Sequence, residues 1–167
     1  AEHLKNLKNI HLVILGDGRM FRWVKEHVQA RKLENTVHLL GRHPVEAMPL
    51  YFSLSDALLV TLKKEPIFSL TIPSKVQSYL ACAKPIIAGL EGEGARIIEE
   101  SGAGITCSPE DPKALSDAIL KMYNMSVTDR KVMGQKGRSY FEINFEREVL
   151  LDRLEGWMKE LVSRKKY

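Results

Sequence analysis

The residues best suited to chemistry lie between Pro66 and Gly89, in the run PIFSLTIPSKVQSYLACAKPIIAG. At its centre Pro73-Ser74-Lys75 reads as a helix start: Ser74 is of the type that caps a helix, and Pro73 fixes the angle at which the chain enters. Val76, Tyr79, Leu80 and Ala83 then recur at helical spacing, and Lys84-Pro85 ends the helix before the apolar run Ile86-Ile87-Ala88. The first turn of a helix presents unpaired N–H groups and a partial positive charge. With the Ser74 hydroxyl and the Lys75 ammonium beside them, such a turn can cradle a phosphate. A capped helix that binds nothing, with Lys75 merely solvated, satisfies the same residues. The loop in front, Lys63 to Ile72, favours the functional reading, because it is longer than an ordinary strand-to-helix connection and long connections tend to carry function.

The elements that must position this segment alternate in type. Ile10 to Leu15 is an apolar run of the kind found in a parallel strand covered on both faces, and it ends in Gly16-Asp17-Gly18. A helix from Met20 to about Leu33 follows, then a strand from Thr36 to Leu40 closed by Gly41-Arg42-His43-Pro44, where His43 reads as a surface turn residue. A short helix over Val45 to Phe52 leads to the strand Ala57 to Thr61. Beyond Ile86 to Ala88 come the turn Gly89 to Gly94, a helix from Ala95 to Ser101 and the strand Ile105 to Cys107. Asp111-Pro112 opens a clear helix with Leu115, Ala118, Ile119 and Met122 on its buried stripe, and Ser126 to Asp129 is a capping box for another that Gly134 and Gly137 interrupt. The last helix, Glu146 to about Val162, carries Leu150, Leu154, Trp157 and Leu161 on one side, while Leu4 and Leu7 look like the tail of a helix. This alternation predicts an α/β fold, a doubly wound parallel sheet of about five strands flanked by helices. Ligands in such sheets sit beyond the carboxyl ends of the strands, which places Gly16 to Gly18, Gly41 to His43, Lys63 to Lys75 and Gly89 to Gly94 on one rim.

The 167 residues suit one domain, and 44% apolar with 28% charged residues is a globular composition. A formal charge of +4 without a long basic block suits small anionic ligands or, weakly, an anionic membrane surface, and argues against nucleic acid. The tail Ser163-Arg164-Lys165-Lys166 reads as a solvated end. Cys82 and Cys107 lack ligand spacing and read as reduced core residues, and no metal or other cofactor is expected. No apolar run is long enough to cross a bilayer and Ala1-Glu2-His3 does not resemble a signal-peptide start, so a cytoplasmic location, free or at the inner face of the membrane, is the expectation.

In this order, LVILGDG, VHLLGRHPVEAMPLYFSLSDALLVTL, IPSKVQSYLACAKPIIAG and SGAGITCSPEDPKALSDAI resemble the C-terminal, nucleotide-sugar-binding domain of family 4 retaining glycosyltransferases, which have the two-domain GT-B fold. The Pro-Ser-Lys-Val-Gln-Ser-Tyr version is similar to members that build surface polysaccharides. The resemblance implies a nucleotide diphosphate sugar, most often a UDP-sugar, on the rim. Gly16, Asp17 and Gly18 would lie near the diphosphate, Gly41, Arg42 and His43 beside the base, and Pro73, Ser74 and Lys75 at the phosphate end of the helix. Gln77 or Ser78 would reach the ribose, and Phe68, Ser69 and Leu70 the sugar. Two glutamates common in the family fall on Ser78 and Leu70, so neither is acidic here, and no catalytic residue is named. The resemblance also implies that residues 1–167 are one donor-binding domain lacking an N-terminal acceptor domain, which binds the saccharide or lipid-linked acceptor, and lacking its own first strand.

Two other functions stay open at this level: a sugar-nucleotide epimerase of GT-B architecture, and a doubly wound domain that binds a partner protein and no nucleotide. The family's sheet order, 3-2-1-4-5-6, would put the absent strand between Ile10–Leu15 and Ala57–Thr61. Either the gap closes to give the order 2-1-3-4-5, which is the favoured expectation, or another strand fills it. An empty slot is excluded on the ground that buried unpaired backbone groups cost about 1–3 kcal/mol each.

Overall fold

The computed structural model describes residues 1–164. Lys165 and Lys166 of the basic tail lie outside the described residues. Five short strands alternate with helices as the apolar runs require: β1 (Leu12–Leu15), α1 (Phe21–Ala30), β2 (Val37–Gly41), α2 (Met48–Leu54), β3 (Leu58–Thr61), α3 (Pro66–Ser69), α4 (Ser74–Ala81), β4 (Ile86–Gly89), α5 (Glu93–Ser101), β5 (Gly104–Cys107), α6 (Pro112–Asn124), α7 (Val127–Asn144) and α8 (Arg147–Arg164). Both caps legible in the sequence form. The Asp111 carboxylate accepts the Ala114 N–H at 2.9 Å, and the Ser126 hydroxyl oxygen accepts the Asp129 N–H at 3.0 Å. Cations close three other helix ends: Lys84 donates to the carbonyls of Ser53 and Ser55 behind α2, Arg138 to Ala81 at the end of α4, and Arg130 to Met122 and Met125 behind α6.

All pairings are parallel, and they form two sheets, β2-β1 and β3-β4-β5. β4 is central to the larger sheet and buried along its whole length, as its run Ile86-Ile87-Ala88 demands. One face packs Leu58, Val60, Ile86 and Ala88 against Val76, Leu80, Ile97 and Ile98 of α4 and α5; the other packs Ile87 and Ile105 against Ala118, Ile119 and Met122 of α6. The smaller sheet rests on α1 through Leu12, Val24, Val28 and Val37. Leu4 and Ile10 join the α6 cluster and so connect the two sheets on that side.

The gap therefore does not close. β1 and β3 are not paired with each other, and no third strand lies between them among the described residues, which overturns the expectation of a continuous sheet in the order 2-1-3-4-5 and with it the exclusion of an open slot. The exclusion assumed buried edges, whereas Val13, Ile14 and Leu59 are 52%, 42% and 41% exposed and the Leu59 carbonyl accepts the Tyr79 hydroxyl at 3.4 Å, so the edges are open to solvent and the full desolvation penalty does not arise.

Three local readings also change. Leu4 belongs to a single 3-10 turn, Glu2–Leu4, and not to the tail of an α-helix. The loop after β3 contains the extra turn α3, which its short apolar pattern did not disclose. The helix α7 runs unbroken through Gly134 and Gly137 because these positions are where it touches its neighbours. A Cβ on Gly134 would lie 2.1 Å from the Ala83 carbonyl oxygen, and one on Gly137 would lie 2.9 Å from the Ala103 Cβ. Cys82 and Cys107 are free and half-buried, on the margins of the core, and burial raises both thiol pKa values. Along α8 no described residue is buried, and Leu150, Leu154, Trp157 and Leu161 form an exposed stripe.

Candidate donor-binding site

The loops at the carboxyl ends of the five strands fall into two linked groups. In the smaller sheet, the Gly16 N–H donates to the Gly41 carbonyl at 2.6 Å, which ties the Gly16-Asp17-Gly18 turn to the Gly41-Arg42-His43 turn. Gly16 and Gly41 have φ of +128° and +72°, and nothing lies within 4 Å of the Cβ position of either. The glycines serve the turn and leave open space above it, which is what a ligand-facing turn needs. Asp17 and Arg42 are exposed, and no described residue pairs with either side chain.

In the larger sheet the loop from Leu62 to Pro73 is held by the loops after β4 and β5. The Leu62 N–H donates to Gly89 at 3.0 Å, and the Lys64 N–H donates to the Glu110 carboxylate at 3.1 Å. Gly92 lies against Ser69 so closely that a Cβ would be 2.0 Å from the Ser69 carbonyl oxygen, and a Cβ on Gly94 would lie 3.1 Å from the Pro73 ring. Pro73, not Ser74, occupies the N-cap position of α4, with φ −62° and ψ 133°. Ser74 is the first helical residue, so the sequence assignment of Ser74 as cap is corrected by one place: the extended ψ that an N-cap needs falls on the proline. No described side chain caps this end, and although the Val76 N–H donates to the Pro73 carbonyl at 2.9 Å, the Ser74 and Lys75 N–H groups are left to meet an external acceptor. Lys75 is exposed, and its ammonium has no hydrogen bond or ion pair with any described residue.

The remaining sequence candidates divide. Ser78 donates its hydroxyl to the Ser74 carbonyl at 3.1 Å, and Ser69 donates to Pro66 at 2.8 Å, so both can offer a ligand only acceptor capacity in this arrangement. Gln77 is half-buried with its amide uncommitted among the described residues, and Phe68 and Leu70 are exposed beside the α3 turn. No hydrogen bond among the described residues runs directly between the two groups of loops. What joins them is α2: Tyr51 hydrogen-bonds His43 Nδ1 at 3.0 Å, and the next residue, Phe52, meets Tyr79 of α4 edge-on with ring centroids 5.3 Å apart. His43 is therefore half-buried and held, rather than the free surface residue its lone position in a turn suggests. Tyr51, Gly92 and Glu110 were not singled out by sequence. Only Gly92 gave a signal, as part of a glycine-rich turn.

A shallow groove of about 390 Å³ lies at the carboxyl ends of β4 and β5 beside α5, lined by Glu91, Gly92, Arg96, Glu99, Thr106 and Cys107 among others. Its carboxylates make it a poor anion site: Glu93 and Glu100 already claim the Arg96 guanidinium, and that pairing lowers the Glu93 pKa. No group of three His, Cys, Asp or Glu residues among those described is placed to hold a metal ion, and no described helix is long and apolar enough to cross a membrane.

Parallel strands under helices, with glycine turns and an uncapped helix start gathered at the carboxyl ends of the sheet, define the C-terminal domain of a GT-B glycosyltransferase. The chain belongs to the family "Glycosyl transferases group 1", whose model matches residues 1–140. It is 31% identical over 154 residues to the probable glycosyltransferase WbjE of Pseudomonas aeruginosa, covering 91% of this chain and 37% of that protein. It is 24% identical over 127 residues to the uncharacterized glycosyltransferase MJ1178 of Methanocaldococcus jannaschii, covering 76% of this chain and 34% of that protein. The chain thus spans little more than a third of these curated relatives. Among solved structures, a glycosyltransferase from Rickettsia africae superposes with a TM-score of 0.79 at 21% identity over 96% of this chain and 43% of its own. Anabaena Alr3699/HepE, solved in complex with UDP, superposes with a TM-score of 0.76 at 16% identity over 90% of this chain and 41% of its own.

Proposed function

We propose that this domain holds the nucleotide diphosphate of an activated sugar, a UDP-sugar in preference to a GDP-sugar, at the rim formed by Gly16 to Gly18, Gly41 to His43 and Pro73 to Lys75. The observation that carries the reading is the start of α4, which no described side chain caps, with Lys75 beside it unpaired among the described residues; the open glycine turns likewise lie at carboxyl ends of strands. A resident metal is not needed in this reading, because backbone N–H groups and cations meet the diphosphate charge. UDP is expected to raise the melting temperature and move amide resonances of residues 16–18, 41–43 and 74–75, more than GDP or ADP, with or without a chelator. Lys75→Ala is expected to weaken UDP binding by about 1–2 kcal/mol, the scale of a hydrogen bond to a charged group. Saturating UDP that changes neither melting temperature nor amide shifts defeats the proposal.

In the whole protein the reaction is transfer of the sugar to a saccharide or lipid-linked acceptor in the synthesis of surface polysaccharide or another glycan. The acceptor hydroxyl attacks the anomeric carbon from the face the nucleotide diphosphate leaves, so configuration is retained. The acceptor is bound mainly by an N-terminal domain, in the cytoplasm or at the inner face of the membrane. The same reading assigns the slot between β1 and β3 to a strand of that longer chain. Because the Leu12 and Gly16 amides point to β2, and those of Leu58 and Leu62 to β4 and its flanks, the period of two directs the Val13, Leu15, Leu59 and Thr61 amides into the slot. Hydrogen exchange at Val13 and Leu59 is expected to be fast in residues 1–167 alone and strongly protected in the full-length protein. Equal exchange in both would remove the missing strand from the account.

A further inference from the structure

We infer that Glu110 is a positioning residue for the donor loop, resting on the reading of the rim given above: its carboxylate fixes Lys64, where the chain leaves β3, and so sets where the loop from Lys63 to Pro73 stands. Among the described residues three other than glycine have positive φ, namely Lys32, Ala83 and Glu110. Lys32 and Ala83 each follow the last turn of a helix, α1 and α4, where a left-handed residue ends the helix as a matter of course. Glu110, at φ 58°, has no such helix behind it; it precedes the N-cap Asp111 of α6. A left-handed glutamate is unfavourable there, and glycine would adopt the conformation freely. What the glutamate adds is its carboxylate, which reaches across 46 positions of sequence to accept the Lys64 N–H at 3.1 Å.

Lys64 stands at the near end of the loop, and the far end is pinned where Ser69 meets Gly92. Around the first of these points the Lys63 carbonyl accepts the Glu65 N–H, and between the two α3 begins at Pro66. Loss of the Glu110 bond frees the near end while the strand below it is unchanged. Strain tolerated at an exposed loop in exchange for one long-range bond to the rim is the signature of a position kept for the site and not for the fold.

Two variants separate the roles. Glu110→Gly removes both the strain and the carboxylate; Glu110→Gln keeps the backbone strain and an acceptor oxygen. Glu110→Gly is expected to melt at or above the temperature of the parent, to exchange the Lys64 amide roughly tenfold faster, and to bind UDP about three- to tenfold more weakly, the span that corresponds to one lost hydrogen bond. Glu110→Gln is expected to restore both exchange and affinity to within about twofold of the parent. A Glu110→Gly protein with unchanged Lys64 exchange, or one that melts lower in proportion to its loss of affinity, overturns the inference. If the parent itself does not respond to UDP, the donor reading fails on its own, and the Lys64 exchange still decides whether Glu110 holds the loop.

Discussion

Gly134→Ala is expected to lower the melting temperature by roughly 4–8 °C, although alanine is the better helix former. In mid-helix the exchange gains up to about 1 kcal/mol of propensity. Here the new Cβ would stand 2.1 Å from the Ala83 carbonyl oxygen and 2.7 Å from its carbon, which are backbone atoms that no side-chain rotation can move away. α7 must then back off from α4, and overpacking of this kind costs about 1–3 kcal/mol beyond the propensity it offsets, for a net loss of about 2 kcal/mol. Gly156→Ala is the control. It lies in mid-α8 with nothing within 4 Å of its Cβ position, and is expected to raise helicity and leave the melting temperature unchanged or higher. Thermal denaturation followed by circular dichroism reads both. If the two variants shift in the same direction, close packing of α7 on α4 is not what Gly134 serves.

The second large effect belongs to the rim. Gly92 has φ +75° and ψ −144°, close to a region that only glycine occupies, and its Cα approaches Ser69 so nearly that a Cβ would overlap the carbonyl oxygen at 2.0 Å. Gly92→Ala is therefore expected to push α3 and the loop around it off the larger sheet, with a loss of about 2–3 kcal/mol in stability. UDP affinity is expected to fall by an order of magnitude or more, since Ser74 and Lys75 follow directly from that loop. Calorimetric titration of the folded variant, at a temperature well below its melting point, checks the second part. Unchanged affinity would mean that the Ser69–Gly92 contact has no bearing on the donor end of α4.

Much of this was legible in the sequence because period and punctuation agree. The runs ending at Leu15, Thr61 and Cys107 are strands, and Asp111-Pro112 and Ser126 to Asp129 are helix starts with the expected hydrogen bonds. What was not legible depends on contacts between segments far apart in the chain. Gly134 and Gly137 look like breaks until Ala83, Leu80 and Ala103 are seen against them, and Glu110 looks like any loop acid until its φ and its reach to Lys64 are known. The same holds for His43, whose partner Tyr51 sits one helix later. The open slot was misjudged for a different reason: an unpaired strand edge is prohibitive only when dry, and alternation patterns do not say which edges are wet.

The division of the sheet also bears on which parts of the molecule come apart first. The β1-α1-β2 unit keeps three buried apolar residues, Val28, Leu33 and Val37, under a two-stranded ladder, whereas β3 to β5 with their helices share two larger clusters. A pair of strands over so small a core is marginal by itself, so residues 13–41 are expected to open at lower free energy than β3 to β5, while Ile10 and Leu12 stay anchored on the α6 cluster. Under the proposed donor reading, the Gly41 to His43 turn assigned to the base sits on the weaker half, and the start of α4 assigned to the phosphates on the stronger one. A nucleotide that spans them spends part of its binding free energy on ordering the weaker half, and protects amides there that it never touches.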